Sequence, residues 1–265
     1  MSRAIWAIIR REVVRLVRQR GRLVSALVRP LIWLLIIGSG VEAMLGHTGS
    51  VGYKQFLVPG LLGMVLLFGA MLAALSLVYD KESGVMRMLL IAPLPRAWIV
   101  IARTVSAAVA AIIQGLLLML VLLPLGYFPQ HISTWLFAAA LVAASLTCAS
   151  LGMLIAVWSK TLDNFAVIMN FVIFPMFFMS GALYPLEHLP SSLRLIGMLN
   201  PFSYAVDLMK HALGVLPGGP LGADFDIATD AWVLLGFIIV ATFIAVARFS
   251  QDAVRETWAG LLSGH

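Results

Sequence analysis

Charge is what this sequence has least of. Of 265 residues, 11% are Asp, Glu, Lys or Arg, while 62% are hydrophobic. A soluble domain carries about 25% charged and about 45–50% apolar residues. So few charges cannot coat a water-soluble surface of this size, and a mean hydropathy of +1.01 agrees. That excludes an ordinary soluble enzyme, a disordered chain and a disulfide-rich secreted scaffold. Cysteine is scarcer still. Cys148 stands alone, so no intrachain disulfide can form and a cysteine-based zinc site is excluded in practice. It lies in an apolar run and reads as a small packing residue.

Catalytic signatures are missing as well. No GxxxxGK[ST] loop and no HExxH pair occur. The five histidines (His47, His131, His188, His211, His265) include no pair at helical metal spacing and read as structural or surface residues. No acidic residue falls at the middle of an expected span, which argues against a proton- or sodium-coupled carrier. No surface of interleaved basic and aromatic residues speaks for nucleic acid. The net charge of +6 reads instead as arginines marking one membrane face.

What is present is a set of long uncharged runs. A membrane-crossing helix needs about 20 apolar residues. Residues 55–79 are 25 positions without Asp, Glu, Lys or Arg, and 104–159 are another 56. The second run is too long for one helix, and Pro124, Gly126 and Pro129 divide it. The expected fold is an all-α integral membrane protein, one domain over 1–265, with six transmembrane helices at 23–41, 55–79, 104–124, 133–158, 164–182 and 230–248. Arg29, beside Pro30, is expected near the cytoplasmic boundary, snorkelling to headgroups. Residues 3–22 read as an N-terminal amphipathic interfacial helix lying on lipid. Trp6, Ile9, Val13 and Leu16 form one stripe, and Arg11, Arg15, Arg18 and Arg22 another. With seven arginines in its first 22 residues and no compact apolar core, the N-terminus does not read as a cleavable signal.

Orientation follows from the basic residues. With the N-terminus inside, 15 Lys and Arg fall on the inner side and three, Lys54, Arg194 and Lys210, on the outer. Both termini are therefore expected in the cytoplasm.

Two connecting segments stand out. In the inner segment 80–103, Ser83-Gly84 should break the helix leaving the membrane. Val85 to Ile91 can then form two turns before Pro93. Met86, Met88, Leu89 and Leu90 would make an apolar knob rimmed by Glu82 and Arg87. The residues alone leave two readings equal: a short helix that fits a socket on a partner protein, or one resting on the bilayer. In the outer segment 183–229, Gly181 and Pro185 should stop span five. Two short amphipathic helices should then meet at Asn200-Pro201. Their apolar content fits a re-entrant hairpin roofing a cavity better than an exposed loop.

At these two segments the sequence resembles the ABC-2 type transporter permeases. Glu82, Gly84, Arg87, Leu89, Pro93 and Arg96 follow the family's pattern after span two, with Val85 where threonine is usual and Arg87 where an acidic residue is usual. Ser180-Gly181, Tyr184-Pro185, Leu189-Pro190, Asn200-Pro201 and Tyr204 follow its later pattern. The resemblance covers nearly the whole chain. It implies a permease subunit of an ATP-binding-cassette exporter in the bacterial cytoplasmic (inner) membrane. This chain would pair with a second copy of itself and with two copies of a separate ATP-binding cassette ATPase subunit. ATP and Mg would be bound by that partner, with no cofactor, metal or catalytic site in this chain. The coupling helix 82–91 would carry Glu82, Gly84, Arg87, Met88 and Leu89 to the ATPase, and 3–22 would be the interfacial helix. The substrate path would lie at the dimer interface, lined by spans two and five, past Phe68, Phe171, Phe174, Phe177 and Phe178. The extracytoplasmic hairpin would be shaped by Gly181, Pro185, Pro190, Asn200 and Pro201. Rival classes are a membrane-embedded lipid-modifying enzyme, which would need clustered polar side chains at one depth, and a passive channel or assembly scaffold.

Overall fold

A computed structural model of the chain describes Arg10, Val14 and residues 20–45, 53–86, 95–127, 132–215 and 222–262. Among the described residues the protein is helical throughout, with no strand. The helices are α1 (Arg20–Trp33), α2 (Ser39–Leu45), α3 (Tyr53–Glu82), α4 (Arg96–Leu122), α5 (Thr134–Trp158), α6 (Leu162–Phe178), α7 (Ser191–Leu199), α8 (Pro201–Ala212) and α9 (Ile227–Leu262). Helices α3, α4, α5 and α9 are long and apolar enough to cross a membrane. Two shorter apolar stretches, Leu27–Val41 and Leu162–Phe178, accompany them. The expected interfacial helix 3–22, with Arg11, Arg15 and Arg18, lies outside the described residues apart from Arg10, Val14 and 20–22.

Helix α3 is the hub. Its apolar residues point in every direction, so it can only be stable inside a bundle. It packs against α1, α4, α5, α6 and α8. Near its start, α3 runs close against the chain after α6. A Cβ on Gly60 would sit 2.4 Å from the Ala182 carbonyl oxygen, so only glycine fits there. Helix α9 lies outside, against α4, α5 and α8, and turns Trp232, Ile239, Val240 and Phe243 outward. An apolar face of that size suits lipid rather than water.

Helices α1 and α2 are joined without a break by a wider turn, Leu34–Gly38, in which bonded groups stand five positions apart along the chain. Pro30, inside α1, lacks the N–H a regular helix needs. Inserted wide turns of this kind let a helix re-aim its face partway along. Here the turn follows Trp33, whose ring meets Phe177 edge-on at 5.9 Å.

Three sequence expectations need correction. The segment 80–103 is not all loop: α4 begins at Arg96, and Arg103 is buried against α3. The helix can start so early because that arginine finds a carboxylate there. Helix α6 ends at Phe178, short of 182, where Pro175 in its last turn and the left-handed Gly181 (φ +75°) redirect the chain. Helix α9 continues to Leu262, past 248 where the sixth span was expected to end.

Candidate functional site

Three places gather side chains beyond what packing requires: an aromatic face at mid-height and one polar network at each end of the bundle.

The aromatic face joins α1, α3 and α6. Phe68 and Phe174 meet at 6.3 Å, and Phe174 stacks on Phe178 at 6.5 Å. Trp33 closes the group against Phe177 and Phe178. The Arg29 guanidinium lies 4.1 Å over the Phe68 ring, within cation–π range. Phe68 stands about 20 Å from either end of α3 at 1.5 Å per residue. The expectation of a snorkelling Arg29 is therefore corrected: the charge is held at mid-height by an aromatic ring, and the residue remains exposed. The five phenylalanines singled out from sequence do not share one environment. Phe171 (80% exposed), Phe174 and Phe178 face outward, Phe68 is nearly covered, and Phe177 is fully buried. Phe171 also borders an apolar cleft of about 410 Å³ among α5, α6, α7 and α9, with Met176, Ile196, Asn200 and Phe237.

At the Glu82 end, ion pairs and helix ends are tied together. Arg103 of α4 reaches α3, pairing with Asp80 and donating to Ser76 Oγ at 2.8 Å. Lys81 Nζ donates to the carbonyls of Ala156 and Val157, at 3.2 and 2.7 Å, closing the C-terminus of α5. The Glu82 carboxylate accepts the Leu162 N–H at 2.9 Å, at the first residue of α6. Helix α3 stops there; Ser83 turns, Gly84 takes φ +75°, and helical backbone resumes at Val85 and Met86. That is the break expected from Ser83-Gly84. The expected rim and knob need revision where they can be seen. Glu82 is engaged with the chain's own α6, and Met86 packs inward with Ile99, Val100 and Phe249. Arg87, Met88 and Leu89 lie outside the described residues.

At the opposite end, α7 and α8 form the two short helices expected around Asn200-Pro201. Asn200 caps α8 by accepting from Phe202 N at 3.0 Å and donates to the Met176 carbonyl in the last turn of α6 at 2.7 Å. Pro201 takes the first helical position, where no N–H is needed. Tyr204 donates back to Met198 O and Ser203 to Gly197 O, both at 2.7 Å, so α8 holds the end of α7. Pro185 and Pro190 each precede a helical turn, Leu186–His188 and α7.

Beneath this hairpin lies a buried polar cluster. Asp207 accepts from Asp224 N and Phe225 N, at 2.8 and 2.9 Å. Lys210 pairs with Asp224 at 2.7 Å and lies over the Phe56 ring. Asp224 also accepts from Leu186 N at 2.7 Å. His211 Nε2 approaches Phe225 O at 2.8 Å, Asp207 at 3.6 Å and Asp230 at 4.0 Å. Burial pushes the Asp207 carboxyl up from its ordinary value, opposed by Lys210 and the two backbone N–H groups. Gly181 makes room for the pair: its Cβ would lie 2.9 Å from an Asp224 oxygen and 3.3 Å from Lys210 Nζ. Asp226, outside the cluster, caps α9 through Thr229, whose bonds hold its carboxyl below the usual range.

The segments that carry the family's sequence patterns thus shape both ends of the bundle, and the comparison with known families agrees. Residues 3–213 match the family described as ABC-2 type transporter. The chain belongs to that family. Among related proteins, this ABC-2 chain is 29% identical to the inner membrane transport permease YadH of Escherichia coli strain K12, over 89% of its own length and 90% of the relative's. It is 26% identical to nodulation protein J of Rhizobium leguminosarum bv. trifolii, over 88% and 87%. It is 28% identical to the transport permease ycf38 of Cyanophora paradoxa, over 78% and 72%. This ABC-2 chain is a transporter membrane subunit and a multi-pass membrane protein.

Sequence reading of this ABC-2 permease missed Trp33, the Asp80–Arg103 pair and the cluster around Asp230. One signal was available: Asp207 and His211 stand four residues apart and share a helix face. Nothing local connects either to Asp224 or Asp230.

Proposed function

We propose that two copies of this chain form the membrane pathway of an ATP-binding-cassette exporter, driven by two copies of a separate ATPase subunit. One observation carries this reading: an exposed arginine at mid-height on the aromatic face of α1, α3 and α6. An arginine at the centre of a spanning helix costs about 2.5–3.5 kcal/mol when it faces lipid. A surface that holds one there belongs against a second copy or a water-filled path. The aromatic side chains around Arg29 suit passage of a molecule with both polar and apolar parts.

In this reading the six apolar helical stretches, α1–α2, α3, α4, α5, α6 and α9, each cross the membrane. The Glu82 end is cytoplasmic, both termini are inside, and the α7–α8 hairpin is outside and re-entrant. The segment 82–91, with Gly84, Arg87, Met88 and Leu89, meets the ATPase. The 3–22 helix, with Arg11, Arg15 and Arg18, lies on membrane lipid. ATP and Mg act in the partner. When the ATPase subunits close on ATP, they push this segment. The push reaches α5 through Lys81 and α6 through Glu82, so helices lining the path tilt together. Such a bundle converts a partner's binding energy into a shift between inward and outward shapes.

The test is reconstitution. The purified chain should capture an ABC ATPase encoded beside it and stimulate its turnover. Arg29→Ala should abolish transport while membrane insertion and ATPase capture persist. Failure to bind any such ATPase removes the exporter reading. Unchanged transport in Arg29→Ala removes the path from the aromatic face.

A further inference from the structure

The charges beneath the hairpin do not balance. Lys210 closes on Asp224 at 2.7 Å and lies 3.5 Å from Asp207. Three buried carboxylates, Asp207, Asp224 and Asp230, thus face one ammonium and one imidazole. With all three carboxylates ionised, the cluster carries more negative than positive charge, an excess to be met by a cation or by protons. Asp230 is the extreme case. It is wholly buried, and neither carboxylate oxygen has a hydrogen-bond partner among the described residues. A carboxylate removed from water without a bonded partner is among the costliest groups a fold can hold. It faces His211 Nε2 at 4.0 Å.

The geometry supplies what is missing. One oxygen of Asp207, one oxygen of Asp230 and one ring nitrogen of His211 lie within 4.8 Å of one another. An imidazole nitrogen with two carboxylate oxygens is a donor set for borderline divalent ions of the zinc class, rather than for magnesium or calcium. Zinc bonds of about 2.0–2.2 Å put tetrahedral donors about 3.3–3.6 Å apart. The separations from His211 Nε2, 3.6 Å to Asp207 and 4.0 Å to Asp230, need a few tenths of an ångström of closure. Phe225 O, 2.8 Å from Nε2, now shares that nitrogen's proton. For Nε2 to bind an ion, that proton passes to Nδ1 through the tautomer shift, and the Phe225 carbonyl, closer to Nε2 than two ligands of one ion stand, draws back. The ion's positive charge would offset the excess negative charge of the cluster and give Asp230 the partner it lacks.

We propose that Asp207, His211 and Asp230 bind one divalent transition-metal ion of the zinc class, tying α8 to the first turn of α9. The site needs no ATPase and no transport cycle, so it stands or falls apart from the proposed function.

The test uses the tag-free full chain in detergent, stripped with chelator and dialysed against micromolar zinc. Elemental analysis should find one zinc per chain, and zinc should raise the melting temperature. Asp230→Asn keeps the side-chain shape and removes one charge; it and His211→Gln should each weaken zinc binding at least about ten-fold. Magnesium at the same concentration should leave melting unchanged. Three results would overturn the proposal: no zinc retained by the wild-type chain, wild-type affinity in either variant, or equal stabilisation by magnesium. The first, joined to a higher melting temperature for Asp230→Asn without metal, would mean that a proton occupies Asp230 instead.

Discussion

Replacing Arg103 with methionine tests how the Glu82 end is held. Arg103 and Asp80 are 3% and 5% exposed, and they join α4 to α3 where no water replaces a lost partner. The methionine keeps most of the volume but removes the ion pair to Asp80 and the bond from Arg103 Nη1 to the Ser76 hydroxyl at 2.8 Å. Breaking a buried pair from one side costs about 3–5 kcal/mol. At about 2–4 °C per kcal/mol for a chain of this size, the melting temperature should fall by about 6–20 °C. The double variant Asp80→Leu with Arg103→Met removes both charges together. It should melt within about 4 °C of wild type, since an apolar pair of similar volume is close to neutral. The assay is thermal unfolding of the detergent-purified chain, followed by tryptophan fluorescence. Two results would refute the reasoning: a loss under about 2 °C in the single variant, or a double variant as unstable as the single one.

Other expectations follow from the same geometry. Gly60→Ala places a methyl 2.4 Å from a backbone oxygen that cannot rotate away; a loss of about 2–3 kcal/mol should appear in thermal melts, and an unchanged melt would refute the close approach. Asn200→Ala removes the cap of α8 and the tie to Met176, costing about 1–3 kcal/mol. Asn200→Asp keeps the cap and loses only the tie, so it should melt between the two. Single cysteines placed at Val85 and Pro190 should react with an impermeant maleimide from opposite sides of the membrane. The native Cys148 is buried and should stay silent. Labelling of both from one side would end the six-crossing topology.

Much of the architecture was legible because it is local. Uncharged runs, Pro124 and the Ser83-Gly84 and Asn200-Pro201 breaks act within a few residues, and helix ends stand beside them. Helix ends moved where a distant partner intervened: α4 starts early because Arg103 meets Asp80, and α6 ends early where Gly181 turns beside Asp224. The mid-height arginine was misjudged for a similar reason. From sequence alone Arg29 had only lipid and headgroups to answer to; the fold adds the Phe68 ring.

Composition and periodicity by themselves determined that this chain is helical and membrane-embedded, and two sets of motifs carried its resemblance to the ABC-2 permeases. Too few charges leave no other solvent for its surfaces, and its breaks fall where the family's do. Tertiary structure alone decided which polar groups meet. Asp80 and Arg103 stand 23 residues apart on antiparallel helices. Asp207 and His211 come from one short helix, Asp224 from a connecting segment and Asp230 from the next helix. Pairing across helices depends on how far each is rotated and shifted against its neighbour. That rotation is set by the summed packing of dozens of apolar side chains, which no local pattern in the chain encodes.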